Sequence, residues 1–560
     1  PQAGRGARSQ ASVLRSAEEA RVKNGTVDAI VIGAGHNGLI CAAYLARAGK
    51  KVLVLERRHI VGGAAVTEEI VPGFKFSEFS YVVSLLRPEI IRELDLPSHG
   101  LQILPLESTV TPMLDGNYLA AWADHDETRR ELYRHSPLDA DAYDEFGMLM
   151  HHMAHAVKPI IGMMPPDPAS LSPKELLSLG KLGGHMRSLG ARKFYALHKL
   201  MTMSSADYLD EWFETDVLKA TKSASGIIGT FMGPRSPGSA YVLLHHYMGE
   251  IDGAFRAWGF QKGGTGGVSD ATAGAATQLG AEIKLESPVG RVIVKNGRTT
   301  GVALENGDEY HADIVVSGLD PKRTFLKLVE ERELPEDFVA SIRRFKTRGS
   351  SGKVNLALSE LPRLTCMEPE NIARWGGVPI PPARYLRGAI SISPTMDYVE
   401  RAYDDAKHGS FSKRPYMDVV IPSMIDPGMA PPGQHVMSIF CQYAPFAIEG
   451  GWDDAKRDAF GDAVIEALAV HAPNIKNAII ARQVLTPADI ERITGLTEGN
   501  IFQGELALDQ LFFLRPAPGY AKYRTPVDGF YQCGSGTHPG GGIMGASGRL
   551  AALTILGERS

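Results

Sequence analysis

Residues 27–63 constrain this chain more than any other stretch. Residues 28–32 read D-A-I-V-I, a short apolar run that fits a buried β-strand. Gly33-Ala34-Gly35-His36-Asn37-Gly38 follows, then the helical pattern L-I-C-A-A-Y-L-A-R-A with Gly49 as its C-terminal stop. A second strand over residues 51–55 ends at Glu56. Each glycine has a job in such a unit. Gly33 permits a tight turn out of the strand, Gly35 lets backbone approach a pyrophosphate, and Gly38 lets helix and strand pack closely. The helix N-terminus supplies free N–H groups and the positive end of its dipole. Glu56 is placed to accept hydrogen bonds from ribose hydroxyls. The segment therefore predicts a strand–turn–helix–strand unit that holds a dinucleotide.

The next residues, Glu56-Arg57-Arg58-His59-Ile60-Val61-Gly62-Gly63-Ala64, distinguish FAD from NAD. An NAD site needs no second glycine pair, whereas the longer FAD benefits from a second close backbone approach. Here the chain resembles the glutathione-reductase-type flavoproteins, within them the group of amine oxidases and phytoene desaturases. The resemblance implies that Glu56 binds the adenosine ribose, that Arg58 lies along the pyrophosphate, and that Gly62-Gly63 approach the phosphates, with Arg57 and Ala64 also among the cofactor-binding residues. A second glycine cluster, residues 263–267, precedes an expected helix over 268–279 and a strand over 281–285. Asn296-Gly297 marks a hairpin turn between strands 289–295 and 300–305, and 313–317 reads as another strand. By resemblance, Val289 meets the adenine through its backbone.

The third cluster, T-H-P-G-G-G-I-M-G-A-S-G-R over residues 537–549, follows the strand-like G-F-Y-Q-C-G-S-G of 529–536. A glycine turn entering a helix presents N–H groups to an anion. This stretch is similar to phytoene desaturases, carotenoid isomerases and flavin-type β-carotene ketolases. The motifs V-I-G-A-G-H-N-G-L, Y-V-L-L-H-H-Y-M-G and G-N-I-F are similar to the branch described as pyridine nucleotide-disulfide oxidoreductase domain-containing proteins. The resemblance spans residues 28–556. It implies that Gly534, Ser535, Gly542, Ile543 and Met544 face the flavin. Ser535 stands where most of these flavoproteins place an acid for the ribityl chain. Despite that branch's description, the chain has neither a C-x-x-C dithiol nor a second strand–GxGxxG–helix unit for NAD(P).

The fold expected is α/β: a glutathione-reductase-type, Rossmann-like FAD domain interleaved with an α+β substrate domain. The first takes residues 27–110, 255–330 and 490–560, and the second 111–254 and 331–489. Residues 1–26 read as a flexible tail. Its first 17 residues carry Arg5, Arg8 and Arg15 with no acid, which also fits a mitochondrial transit segment. The leading expectation is a cytoplasmic location or one peripheral on a membrane, with the mitochondrial location as the alternative. Four scattered cysteines suit a reducing compartment, and Cys41 falls in a helix core. A net charge of −5 gives no global case for nucleic-acid binding. No run of about 18 apolar residues occurs.

Residues 171–203 hold six Lys/Arg against one acid, Glu175, with Leu179, Leu182, Met186 and Leu189 at helical spacing. They make a candidate membrane-facing part near 150–205. Residues 241–248, with His245 and His246, are candidate tunnel lining. His151, His152 and His155 include an i, i+4 pair, but no fitting glutamate accompanies them, so no metal is expected.

Hydride transfer to a flavin needs no catalytic dyad or triad, so no catalytic residue is assigned; His538 is a candidate proton donor or a structural turn residue. The leading expectation is a desaturase-, oxidase- or isomerase-type FAD enzyme acting on an apolar polyene, isoprenoid or lipid. Oxygen, a quinone or a protein would be its electron acceptor. An amine oxidase and a non-catalytic isoprenoid-binding escort protein are the alternatives.

Overall fold

A computed structural model describes residues 27–251, 254–255 and 258–557. The tail expected over residues 1–26 lies outside the described residues. Five parallel strands form the first sheet, in the order Glu282–Lys284, Val52–Leu55, Ala29–Ile32, Ile314–Ser317 and Phe530–Gln532. Ala29 pairs with both Val52 and Ile314, so the first strand sits at the centre. Its residues are buried on both faces, which is why this run is uniformly apolar.

The alternation along that strand sorts the layers. Ala29 and Val31 pack in one core with the helices His36–Arg47, Gly266–Gln278 and Ala546–Leu556. Ile30 and Ile32 pack in another, under the antiparallel meander Val289–Lys295, Arg298–Leu304 and Glu309–His311. The hairpin turn falls at Asn296-Gly297, both left-handed at φ 52° and 75°. The glycines of residues 263–267 precede the helix as expected, but they approach protein. A Cβ on Gly264 or Gly266 would lie 2.2 Å or 2.5 Å from atoms of Thr67.

A seven-stranded sheet forms the second layer, in the order Ile479–Leu485, Ser351–Leu358, His435–Gln442, Tyr416–Val420, Ala389–Ile392, Ser108–Pro112 and Tyr118–Trp122. All pairings are antiparallel except that of Ala389–Ile392 with Ser108–Pro112. The boundary expected at residue 110 therefore falls inside a strand of this sheet, and the one at 490 falls inside the helix Pro487–Thr494. Composition shifts do not mark either crossing, because the chain passes between layers without a linker. One face of the sheet is apolar, with Leu356, Met437 and Val419 covered by Phe460, Val464 and Leu468 of the helix Asp454–Ala469. The opposite face carries Lys353, Asn355 and Asp418, all buried. A helical body centred on Phe146 completes the chain, with Pro137–Ile161, Gly190–Thr202 and Ser239–Tyr247 among its elements.

Two helices far apart in sequence meet at backbone distance. The helices His36–Arg47 and Ala546–Leu556 cross where Gly548 faces Asn37. A Cβ on Gly548 would lie 2.2 Å from the Asn37 carbonyl oxygen. Gly548→Ala should therefore destabilise the protein by about 1–3 kcal/mol through overpacking, read as a lower denaturant midpoint. An unchanged midpoint would show that the two helices separate freely.

Candidate functional site

The first glycine turn opens on a long cavity containing about 1730 Å³ of space free of protein atoms, its open mouth included. The three glycines have distinct environments. Gly33 is left-handed at φ 91°. A Cβ on Gly38 would lie 2.2 Å from the Gly33 carbonyl oxygen. A Cβ on Gly35 would meet nothing within 4 Å, and Gly35 lines the cavity. The turn is thus tight at its first glycine, packed at its third and open at its second, where a ligand's phosphates would come close. The helix it enters has no side-chain cap and no acid in its first turn, leaving its N–H groups free.

Gly62 extends this floor. Its N–H donates to the Ala34 carbonyl at 2.8 Å, and a parallel bridge joins it to Gly35. Glu56 lies at the end of its strand, buried, accepting from the Ala34 N–H at 2.8 Å and the Arg58 N–H at 2.9 Å. Each carboxylate oxygen keeps a lone pair for a further donor.

Of the residues expected to bind the cofactor, Gly33, Gly35, His36, Glu56, Arg57, Gly62, Gly63, Ala64, Val289, Ser535, Gly542 and Ile543 all line this cavity. They come from three stretches of chain brought together by the parallel sheet. Asn37, Gly38, Arg58, Gly534 and Met544 stand outside the lining, and each is used otherwise. Asn37 donates its amide to the Ser535 hydroxyl at 3.0 Å and accepts from the Gly548 N–H at 3.3 Å. Gly38 packs on Gly33. Arg58 pairs with Glu68 and donates to the Gly63 carbonyl at 3.3 Å, so it braces the loop from behind. A Cβ on Gly534 would lie 2.4 Å from Gln503. Met544 packs in the helical core.

At the Glu56 end, Arg57, Arg323 and Glu305 also line the cavity. Arg57 donates to the Arg492 and Ile493 carbonyls. Burial and the neighbouring Arg323 lower its pKa.

The other end is an aromatic cage. His246 neighbours both Trp258 (ring centres 6.1 Å apart, 24° between planes) and Phe502 (6.2 Å, 28°). Tyr81 stacks on Phe440 at 5.3 Å and 15° and tilts against Trp258. All five line the cavity. The Tyr81 hydroxyl donates to Asp418 at 3.0 Å, and burial raises the pKa of Asp418. Lys353 donates to the Ser77 and Ser80 carbonyls, both at 2.7 Å, fixing the loop that carries Tyr81. Burial pushes Lys353 down to about 7. Burial likewise pushes His246 down to about 4, so it is neutral at physiological pH.

Sequence reasoning placed His245 and His246 near the substrate but missed the other cage residues. They come from four distant segments, and only the buried-helix pattern around His246 gave a local signal. His245 faces the Gly541 carbonyl at 3.3 Å and does not line the cavity. His538 is buried in its turn, facing the Ile160 carbonyl at 3.1 Å, and is also outside the lining. His36 does line the cavity, and its Nε2 is buried without a partner. Burial pushes its pKa to about 4, so it offers the cavity a neutral ring.

The His151 and His155 rings are 4.5 Å apart on the helix Pro137–Ile161. Among the described residues no group of three or more metal-ligating side chains comes together. All four cysteines are free and buried. No helix among the described residues is long and apolar enough to cross a membrane.

The family model for flavin containing amine oxidoreductases matches residues 38–556. Pyridine nucleotide-disulfide oxidoreductase domain-containing protein 2 of Rattus norvegicus is 42% identical over 94% of this chain and 93% of its own. A limonene dehydrogenase component of Castellaniella defragrans is 28% identical over 94% of this chain and 94% of its own. Among solved structures, cyclohexylamine oxidase from Brevibacterium oxydans superposes with a TM-score of 0.53 at 18% identity, covering 95% of this chain and 99% of its own.

The site's buried histidines make stability depend on pH. Burial pushes His245 to about 3 and His246 and His538 to about 4, against 6.5 when exposed. Between those values the unfolded chain binds more protons, so stability falls as pH falls. Glu78 opposes this: burial and neighbouring Glu68 raise it from 4.5 to about 7, so the folded state is the one that binds its proton in that window. With His36, also pushed to about 4, four histidines outweigh one glutamate. The unfolding free energy from urea titrations should drop between about pH 7 and about pH 5, by about 1–2 kcal/mol per histidine, with a lower urea midpoint. A midpoint that rises on acidification would contradict this account.

Proposed function

This chain belongs to the flavin containing amine oxidoreductase family and is an FAD-dependent oxidoreductase, and from that premise we propose that it oxidises or isomerises a compact apolar, isoprenoid-like group held in the aromatic cage. Fit to FAD rests on the open space at Gly35 and on a cavity that runs from a carboxylate to an aromatic end. Glu56 and the Val289 backbone would hold the adenosine. The first turn and Gly62-Gly63 would hold the diphosphate, and Ser535, Gly542 and Ile543 would border the ring. When bound, the flavin supplies hydride-accepting chemistry.

The chain's own contribution is orientation and exclusion of water. The observation that carries the substrate class is the cage itself. Tyr81, His246, Trp258, Phe440 and Phe502, with Ile228 beside them, are aromatic or aliphatic and uncharged, and His246 is held neutral. The charged lining residues, Glu56, Arg57, Glu305, Asp320 and Arg323, are not among these. An apolar group loses nothing by desolvation in such a cage, whereas an ammonium group would give up its hydration for ring faces alone. The Castellaniella relative, by its name a limonene dehydrogenase, supports the same class. Amine oxidation is the second reading, favoured by the family's description and by the capacity of aromatic faces to hold a cation. For the electron acceptor we propose oxygen, a quinone or a protein.

We also assign a lipid-facing role to the hairpin Pro173–Ser188 and Gly190–Thr202. Leu171, Leu176, Leu177, Phe194 and Tyr195 are exposed there beside Lys174, Lys181 and Arg187. The protein should sediment with vesicles containing anionic lipid and leave them at high salt, and a Leu177→Ser, Tyr195→Ser double variant should not sediment. Equal recovery of variant and parent from the pellet would remove the hairpin from consideration.

Anaerobic mixing tests the substrate class. Terpenoid alkenes should bleach the flavin absorbance, and primary amines should not; bleaching by amines alone would exchange the two readings. Trp258→Ala should raise KM for the bleaching substrate about tenfold with FAD content retained, since one wall of the cage is lost. An unchanged KM would place the substrate elsewhere.

A further inference from the structure

Arg515 is fully buried. Its guanidinium donates to six carbonyl oxygens, those of Phe502, Gly504, Glu505, Gln510, Ser535 and Thr537, at 2.8–3.4 Å. The Phe345 ring lies 5.4 Å from its central carbon. No carboxylate among the described residues pairs with it. The Glu505 side chain is committed to Arg348, at 2.7 and 2.9 Å. Burial lowers the pKa of Arg515 only to about 9, so the charge persists at neutral pH. An unpaired buried cation is costly, and carbonyl dipoles alone offset it here. Two of its carbonyl partners, Ser535 and Phe502, belong to residues that line the cofactor cavity. The charge stands one residue behind that wall, where little water screens it.

We propose that Arg515 is an electrostatic positioning residue for FAD, its uncompensated charge stabilising the negative charge that the ring acquires on reduction. Reduction of the bound cofactor then takes up two electrons and one proton, where full protonation takes two electrons and two protons. The electrons come from the substrate in turnover and from dithionite in a titration. The proposal rests on the ring lying at the Gly542 end of the cavity. A change in flavin absorption on Trp258→Ala marks that placement independently, so a reversed cofactor and an inert Arg515 give different results.

The test is the midpoint potential of the holoprotein as a function of pH on the acid side of neutrality, beside free FAD. For the wild-type protein the reduced-to-oxidised ratio at fixed potential should change tenfold per pH unit, about 30 mV for a two-electron couple. For free FAD it should change a hundredfold. Arg515→Gln should lower that ratio about tenfold or more and restore the steeper slope, while Arg515→Lys should stay near wild type. A hundredfold slope in the wild-type protein overturns the proposal, as do equal shifts in the Lys and Gln variants, which mark a packing role. Should Arg515→Gln fail to fold, the wild-type slope decides.

Discussion

The contact between the helices His36–Arg47 and Ala546–Leu556 governs the rest of the molecule. It is made by backbone, since a single added Cβ at Gly548 would collide with the Asn37 carbonyl. Asn37 then ties both the helix N-terminus at Gly548 and the Ser535 hydroxyl, across 511 and 498 residues of sequence. One side chain thereby aligns the two glycine turns that face each other across the cavity. An asparagine can do this because its amide is donor and acceptor together. Its place in the first turn, which suggested ligand contact, instead makes it the joint on which the ligand's cradle depends.

The seven-stranded sheet serves that cradle through the unequal chemistry of its two faces. The outer face carries an apolar core covered by a helix. The inner face buries Lys353, Asn355 and Asp418, an expensive choice unless each is satisfied. Each is bonded to the stretch of residues 77–81: Lys353 to the Ser77 and Ser80 carbonyls, Asn355 to the Glu78 carbonyl at 3.2 Å, and Asp418 to the Tyr81 hydroxyl. The polar groups therefore hold a loop, and the loop holds one wall of the cage. Of this inner face, Phe440 reaches the lining.

The parts of this site that were legible in sequence are those whose requirements are local. Gly33, Gly35 and Gly38 each answer to a constraint set within a few residues: a left-handed turn, an open approach and a packed carbonyl. Glu56 follows from the length of one strand–helix–strand unit, and the Asn296-Gly297 turn from its own dihedral angles. The cage was not legible, because Tyr81, Trp258, Phe440 and Phe502 become neighbours only when both sheets are assembled. Arg515 gave no signal at all. An arginine satisfied by main-chain carbonyls leaves no partner acid to find, and its burial depends on loops of irregular backbone. The Arg58 partner was hidden for a related reason: its spacing from Glu56 suits a phosphate contact, while Glu68, ten residues on in the strand Thr67–Val71, pairs with it.

The distribution of charge along the cavity links cofactor and substrate. The charged residues of the lining are Glu56, Arg57, Glu305, Asp320 and Arg323, and the rings of the cage are neutral. A dinucleotide has a similar division, with charge and hydroxyls toward its middle and adenosine end and a flat, sparingly charged ring beyond them. On the proposed reading the cofactor takes one direction in the cavity, and the cage is left to an apolar substrate. There a charge in the lining would attract water and weaken the exclusion on which hydride transfer relies. A cation set one residue behind the wall avoids this conflict. Its field crosses the low-dielectric wall while its hydrogen bonds are filled by carbonyls, so the surface that meets the substrate stays apolar.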